Sequence, residues 1–484
     1  MPEPGHAGAR PPLDMRLEHT GYEVTPWARV RQEDFGLLFY DTGSTDLTYV
    51  RSGGALTVSR SEDGSTFLFR SRSGVCGDSL SRALAALVDK GLTQRCSDGE
   101  RATPTSAGEV LASRPERARG RSTGASGEIS LHAEPLRAPV NVTWEITSRC
   151  NLKCRHCLSA EIRNGHGDVD SRENARTTGY GDLTYEECLS FIDQVAALGV
   201  FQLNLGGGEP FLREGLLDIL RYAQGRGLVT CVSTNGLLLS NELVRELVAM
   251  DLLYLQVSLD GATPETNDAI RGPGVFARAV RGMELLSRQG MRGWSINTVV
   301  TRTNLPEVSE LRALADRLGA KTRLSRFRPA GNAKQVWEEY RLNPEGLVAL
   351  SFYLDGHREV LTGDSFFALA GKERRQLGLN TCGAARMTLS VSPTGDVYPC
   401  AFLCEPEFLA GNVRQASLVD IFRCSPVLRG FRRLDVEACQ SCERFELCHG
   451  GCPAVAYFTD RSLAQPDPEC LVSAMDAWTD VEAG

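Results

Sequence analysis

No run of about 18 apolar residues occurs anywhere in the chain, so the sequence offers no candidate for a membrane-spanning helix. The opening Met1-Pro-Glu-Pro-Gly-His6 also lacks the basic region and apolar core of a signal peptide, which predicts a cytoplasmic protein. An excess of positive charge is missing too: 53 Lys and Arg stand against 61 Asp and Glu, a formal net charge of −8. That balance argues against nonspecific nucleic-acid binding as the main role. Neither a Ser-His-Asp arrangement nor a paired-carboxylate site stands out, so no side chain is assigned as catalytic acid, base or nucleophile.

What the chain does have is length, a core-forming composition and sulfur. Its 484 residues suggest about three domains, and 42% hydrophobic with 24% charged residues is enough to bury a sizeable core. In a reducing compartment, 16 cysteines read as metal ligands rather than disulfides. Ten of them fall into two groups; Cys76, Cys96, Cys188, Cys231 and Cys424 lack metal spacing.

The first group is Cys150-Asn-Leu-Lys-Cys154-Arg-His-Cys157, just after the apolar run 142–146. Three thiolates can hold three irons of a 4Fe-4S cluster and leave the fourth iron open to a small ligand. A structural zinc site of Cys150, Cys154, Cys157 and His156 is the alternative, since soft thiolates accept either metal. Against it, His156 adjoins Cys157 in a tight loop and would have difficulty reaching the same ion.

Downstream, apolar runs alternate with amphipathic helices, the pattern of a parallel sheet built from βα units. Strands are predicted at 142–146, 200–205, 228–233, 252–259, 295–300 and 321–327, with helices opening at the capping box Thr184-Tyr-Glu-Glu187 and at 216–224, 241–250, 276–289 and 306–318. The second run leads into Gly206-Gly207-Gly208-Glu209-Pro210, where glycines let backbone approach a ligand. These motifs together resemble the radical S-adenosylmethionine (SAM) superfamily over about residues 140–330. The resemblance implies an α/β fold with a partial (β/α)6 barrel, its ligands at the carboxyl ends of the strands. It implies SAM chelated by the open iron, Gly207 to Glu209 on the methionine part, Ser258 and Arg271 on the carboxylate, and the ends of the third and fifth strands (Ser233, Asn235, Asn297) on the ribose. Reductive cleavage would then yield a 5'-deoxyadenosyl radical that abstracts hydrogen. Ser233-Thr-Asn-Gly236 and Asp260-Gly261 also read as ordinary turn formers. A polar insertion at 160–182 is expected to be a lid or disordered.

Residues 1–20 read as a mobile tail and 99–136, rich in Gly, Ser, Arg and Pro, as a flexible linker. Between them, runs at 27–40 and 46–50 read as strands and 79–90 as a helix stopped by Gly91, a small α+β module over 21–98. This module resembles winged-helix-like peptide recognition elements of the PqqD type, which implies capture of a precursor peptide as an added strand. Any other small domain remains compatible with the periodicity.

The second cysteine group follows a connecting stretch, 331–375, with a helix predicted at 346–361. Its order is Cys382, Gly395, Cys400, then Cys439-x2-Cys442-x5-Cys448-x3-Cys452 and Cys470. A ferredoxin-like domain or a zinc ribbon would use similar spacing. The seven thiols resemble the SPASM extension of radical SAM enzymes, here over 376–475 before a tail at 476–484. The resemblance implies two auxiliary 4Fe-4S clusters, hence three in all. One is held by Cys439, Cys442, Cys448 and Cys470, the other by Cys382, Cys400 and Cys452. Gln376 stands where some relatives place a further cysteine; Cys404 or an open iron are the alternatives.

Within that group, Leu324-Ser-Arg-Phe-Arg-Pro-Ala-Gly331 and Gly378-Leu-Asn-Thr-Cys-Gly-Ala384 are most similar to mycofactocin maturases. This implies oxidative decarboxylation of the C-terminal tyrosine of a ribosomally made precursor peptide and its crosslinking to the preceding valine. A one-electron donor such as flavodoxin or ferredoxin is implied as partner. Thioether-forming or sulfatase-maturing enzymes, or a non-catalytic peptide-binding metal protein, are the competing readings.

Overall fold

The computed structural model describes residues 22–24, 28–33, 36–41, 47–51, 56–60, 67–71, 87–88 and 92–95, then 136–159, 181–251, 253–362 and 382–475. The chain divides into two compact units, Met1–Ile129 and Ser130–Gly484. The insertion expected at 160–182, the linker, Gln376 and both tails fall wholly or almost wholly outside the described residues.

In the first unit, β1 (Tyr22–Val24) pairs antiparallel with β7 (Thr93–Arg95). The strands β2 (Ala28–Glu33), β3 (Gly36–Asp41) and β4 (Leu47–Arg51) form a meander, and β5 (Leu56–Arg60) and β6 (Phe67–Ser71) a hairpin. The run read as one strand over 27–40 is thus two, reversing between Glu33 and Gly36, which pair across the turn. Its continuous apolar stretch hid the break because Leu37 to Tyr40 are all buried, so β3 shows no polar alternation. Of the helix expected at 79–90, only Leu87 and Val88 are described, and they are helical.

The second unit is built on β8 (Asn141–Glu145), β9 (Gln202–Gly206), β10 (Val229–Thr234), β11 (Leu253–Ser258), β12 (Trp294–Val300) and β13 (Lys321–Arg326). Each pairs in parallel with the next, so all six carboxyl ends open on one side. Helices Tyr185–Leu198, Leu216–Gly225, Asn241–Val248, Val275–Arg288 and Val308–Leu318 separate them. Their buried faces meet the sheet in one core in which Trp144 packs edge-on against Phe191, ring centroids 4.9 Å apart. The sheet does not stop at β8. Strand β14 (Thr388–Val391) adds to it in parallel, Thr388 opposite Asn141, and continues through β15 (Asp396–Tyr398) and β16 (Gly411–Asn412) as an antiparallel meander. The cysteine-rich region therefore covers the first edge of the barrel.

Two elements differ from expectation. The connecting helix predicted at 346–361 runs Pro344–Gly356, starting earlier because Asn343 caps it by accepting from Gly346 N and Pro344 fits its first turn, and a further helix, Ala333–Tyr340, precedes it. A short helix, Pro264–Arg271, also follows β11; its mostly polar composition gives little hydrophobic period, although Thr263 caps it.

Candidate functional site

The first cysteine loop leaves β8 and is held by backbone on every side. Gly208 N donates to Thr147 O and Glu209 N to Arg149 O, both at 2.8 Å, while Arg155 N reaches Ile270 O and Asn332 N reaches Cys157 O. The glycines divide in role. A Cβ on Gly208 would lie 1.9 Å from Arg149 O and one on Gly207 2.5 Å from Thr147 O, so both are required by contact with the loop. On Gly206 a Cβ would meet nothing within 4 Å, leaving that backbone facing open space. Glu209 is fully buried, its carboxylate accepting from Thr234 Oγ1 (2.7 Å), Asn235 N (2.8 Å) and Phe211 N (3.3 Å). It therefore locks the end of β10, and burial pushes its carboxyl up while those donors pull it down.

Asn235 donates through Nδ2 to Asn151 Oδ1 at 2.7 Å, joining the β10 end to the cysteine loop. Exposed Ser233 donates to Gln256 Oε1 at 3.4 Å, and Asn297 Oδ1 accepts from Ser325 Oγ at 2.9 Å. Ser258 ends β11 half-buried, on the same side as these residues. Pro210 opens a one-turn 3-10 helix behind Glu209.

Asp260 corrects the reading of the Asp-Gly pair as plain turn chemistry. It is fully buried, with His156 Nε2 at 2.8 Å and Arg271 Nε at 2.6 Å from Oδ2, and Oδ1 accepts from Val299 N. Burial alone would raise its carboxyl, yet Arg271 and His156 hold it well below the carboxylate range. His156 is thus oriented by Asp260 through Nε2, and its Nδ1 is buried without a hydrogen-bond partner. Sequence reasoning named Arg271 but missed that Asp260 fixes it. The terminal nitrogens of Arg271 make no hydrogen bond to described residues, so they can receive a carboxylate.

Cys154 lies within electrostatic reach of Cys150, Cys157 and Arg271, and burial pushes its thiol up to about 11. A thiol so placed stays protonated until a metal centre binds its sulfur and displaces the proton. Among the described residues no three His, Cys, Asp or Glu side chains stand as close as a single ion draws its ligands, and a cluster whose irons each take one thiolate asks for wider spacing. The second cysteine region forms two groups. Cys439, Cys442, Cys448 and Cys470 line one pocket, with Cys448 pushed up to about 12 by burial. Cys382, Cys400 and Cys452 form the other, each acting electrostatically on its neighbours. Cys404 hydrogen-bonds to backbone carbonyls of Cys400 and Ala401 and faces Ser390, and burial together with the charge of Glu145 pushes its thiol up.

The radical SAM superfamily model matches residues 144–315, and the SPASM iron-sulfur cluster-binding domain matches 382–450. The chain is 41% identical over 341 residues to the mycofactocin maturase MftC of Mycobacterium ulcerans, covering 69% of this chain and 89% of that one. It is 32% identical over 357 residues to an AdoMet-dependent heme synthase of Methanosarcina barkeri, covering 69% and 97%. Among solved structures, Streptococcus suis SuiB bound to precursor peptide SuiA matches with a TM-score of 0.62 at 16% identity, over 93% of this chain and 99% of that one. The radical SAM match implies SAM and a 4Fe-4S cluster, and the SPASM match implies auxiliary iron-sulfur clusters. The chain belongs to the radical SAM superfamily, in the group that carries a SPASM iron-sulfur domain behind the barrel.

Proposed function

We propose that this radical SAM enzyme matures a ribosomally made precursor peptide of the mycofactocin type, oxidatively decarboxylating a C-terminal tyrosine and joining it to the preceding valine. The observation that carries the reading is the identity of 39–41% to mycofactocin maturases from Mycobacterium ulcerans, Mycobacterium tuberculosis and Mycolicibacterium smegmatis over 69% of this chain. The SuiB likeness adds support: it spans 93% of the chain, more than the Ser130–Gly484 unit alone supplies, and that structure holds a precursor peptide.

In this reading Cys150, Cys154 and Cys157 hold the SAM-binding cluster, and the two SPASM cysteine groups hold one auxiliary cluster each. When bound, SAM and its cluster supply a carbon-centred radical that takes a hydrogen atom. The chain's own residues do the rest. Gly206 leaves room for the methionine part beside the loop, and Arg271, fixed by Asp260, offers its terminal N–H groups to a carboxylate. His156 is oriented by Asp260 through Nε2. The first unit is assigned to peptide capture by strand addition, with β2 and β4 as the edges of its three-stranded sheet. A flavodoxin or ferredoxin is the expected electron donor.

The test is a candidate peptide ending in Val-Tyr, incubated anaerobically with the reduced, cluster-loaded enzyme and SAM. Loss of carbon dioxide from the peptide supports this chemistry; a thioether or an unaltered mass assigns the protein to another maturase class.

A further inference from the structure

One buried carboxylate touches both SPASM cysteine groups. Asp467 Oδ2 accepts from the backbone N–H of Cys452, a member of one group, at 2.9 Å. Its Oδ1 accepts from Glu469 N at 2.9 Å, immediately before Cys470 of the other group. The N–H of Asp467 donates to Gly450 O, two residues beyond Cys448, and its side chain lines the pocket of Cys439, Cys442, Cys448 and Cys470. The fit is tight: Gly451, at φ +85°, would place a Cβ 2.4 Å from Asp467 Cβ.

The same carboxylate is gripped from the barrel. Arg326, the last residue of β13, donates from Nη1 to Asp467 Oδ2 at 2.6 Å and from Nη2 to Oδ1 at 2.7 Å, and from Nε to Glu469 Oε2 at 2.5 Å. Arg326 is 4% exposed, Asp467 and Glu469 3% each. Burying three charges gains little stability over apolar packing, so this arrangement asks for another purpose.

We infer that Asp467 is the positioning residue shared by both auxiliary sites, coupling them electrostatically, with Arg326 as the counter-ion that sets how much of its charge they feel. The inference rests on the reading that the SPASM region holds two clusters. A negative charge beside a cluster opposes the added electron and lowers its reduction potential, and a positive charge does the reverse. One residue bonded next to ligands of both groups acts on both at once.

Potentiometric titration of the cluster-loaded full chain, followed by electron paramagnetic resonance, tests this. Iron and sulfide analysis of the wild-type chain comes first, because fewer than two auxiliary clusters removes the underlying reading and the bridge with it. Asp467→Asn is expected to raise both auxiliary midpoints and leave the SAM-site cluster unmoved; Arg326→Gln is expected to lower both. Opposite signs are the signature, since simple loosening of the domain shifts both variants in the same direction. Same-direction shifts, a shift at one auxiliary cluster alone, or none with both clusters present overturn the inference. Should one variant fail to assemble, the sign of the other decides.

Discussion

Gly206 and Gly208 are two residues apart and do different work. Gly208 is pressed against Arg149 O, so Gly208→Ala must push the cysteine loop aside, and iron content at the first site should fall sharply by metal analysis. Gly206→Ala meets no protein atom, so fold and iron content should survive while SAM affinity, read by equilibrium binding, weakens about tenfold or more, the ~1.4 kcal/mol of one lost contact. Asp260→Asn strips the charged partner from buried Arg271 and weakens the hold on His156, and should cost about 3–5 kcal/mol in denaturant unfolding. The cysteines were legible in the sequence because their chemistry sits in short spacings. Asp260 was not: an Asp-Gly pair is an ordinary turn signal, and only the fold brings His156 and Arg271 to it.

At the scale of elements, the SPASM meander is fastened to the first barrel helix by Arg414. Its guanidinium bonds bidentately to Glu187, at 2.6 and 2.7 Å, and also reaches Gly181 O and Thr394 O. Glu187 is itself the closing residue of the capping box with Thr184. Arg414→Ala should therefore destabilise the unit by about 1–2 kcal/mol, a loss reduced by salt because Glu187 is partly exposed. Hydrogen bonding by Arg414 lowers the Glu187 carboxyl below its ordinary value. The contribution is thus present above the unfolded pKa of about 4.3 and disappears as pH falls through the lower folded value, so wild type and variant should converge in stability in acid. The capping box could be read directly from Thr184 and Glu187, whereas its long-range partner could not. Likewise the barrel strands announce themselves as apolar runs, but the pairing of β14 with β8 depends on an edge that no local pattern marks.

For the whole molecule, the alternation of strands and helices from Asn141 to Arg326 made the barrel readable, because each βα unit must bury one face against the same sheet. The first unit was less readable, since Leu37 to Tyr40 of β3 are all buried and its short strands carry little periodicity. Its assignment to peptide capture makes a separable prediction. A chain shortened to Ser130–Gly484 should still cleave SAM under reduction, yet bind the precursor peptide at least tenfold more weakly by fluorescence anisotropy. Equal binding by both chains would move the docking site elsewhere.

The most direct test of the account is anaerobic turnover. Full-length protein, loaded with iron and sulfide and reduced in the presence of SAM and a peptide ending in Val-Tyr, should release 5'-deoxyadenosine together with a peptide that has lost carbon dioxide. Failure to form 5'-deoxyadenosine, with the three cysteines of the first loop ligating metal, would contradict it.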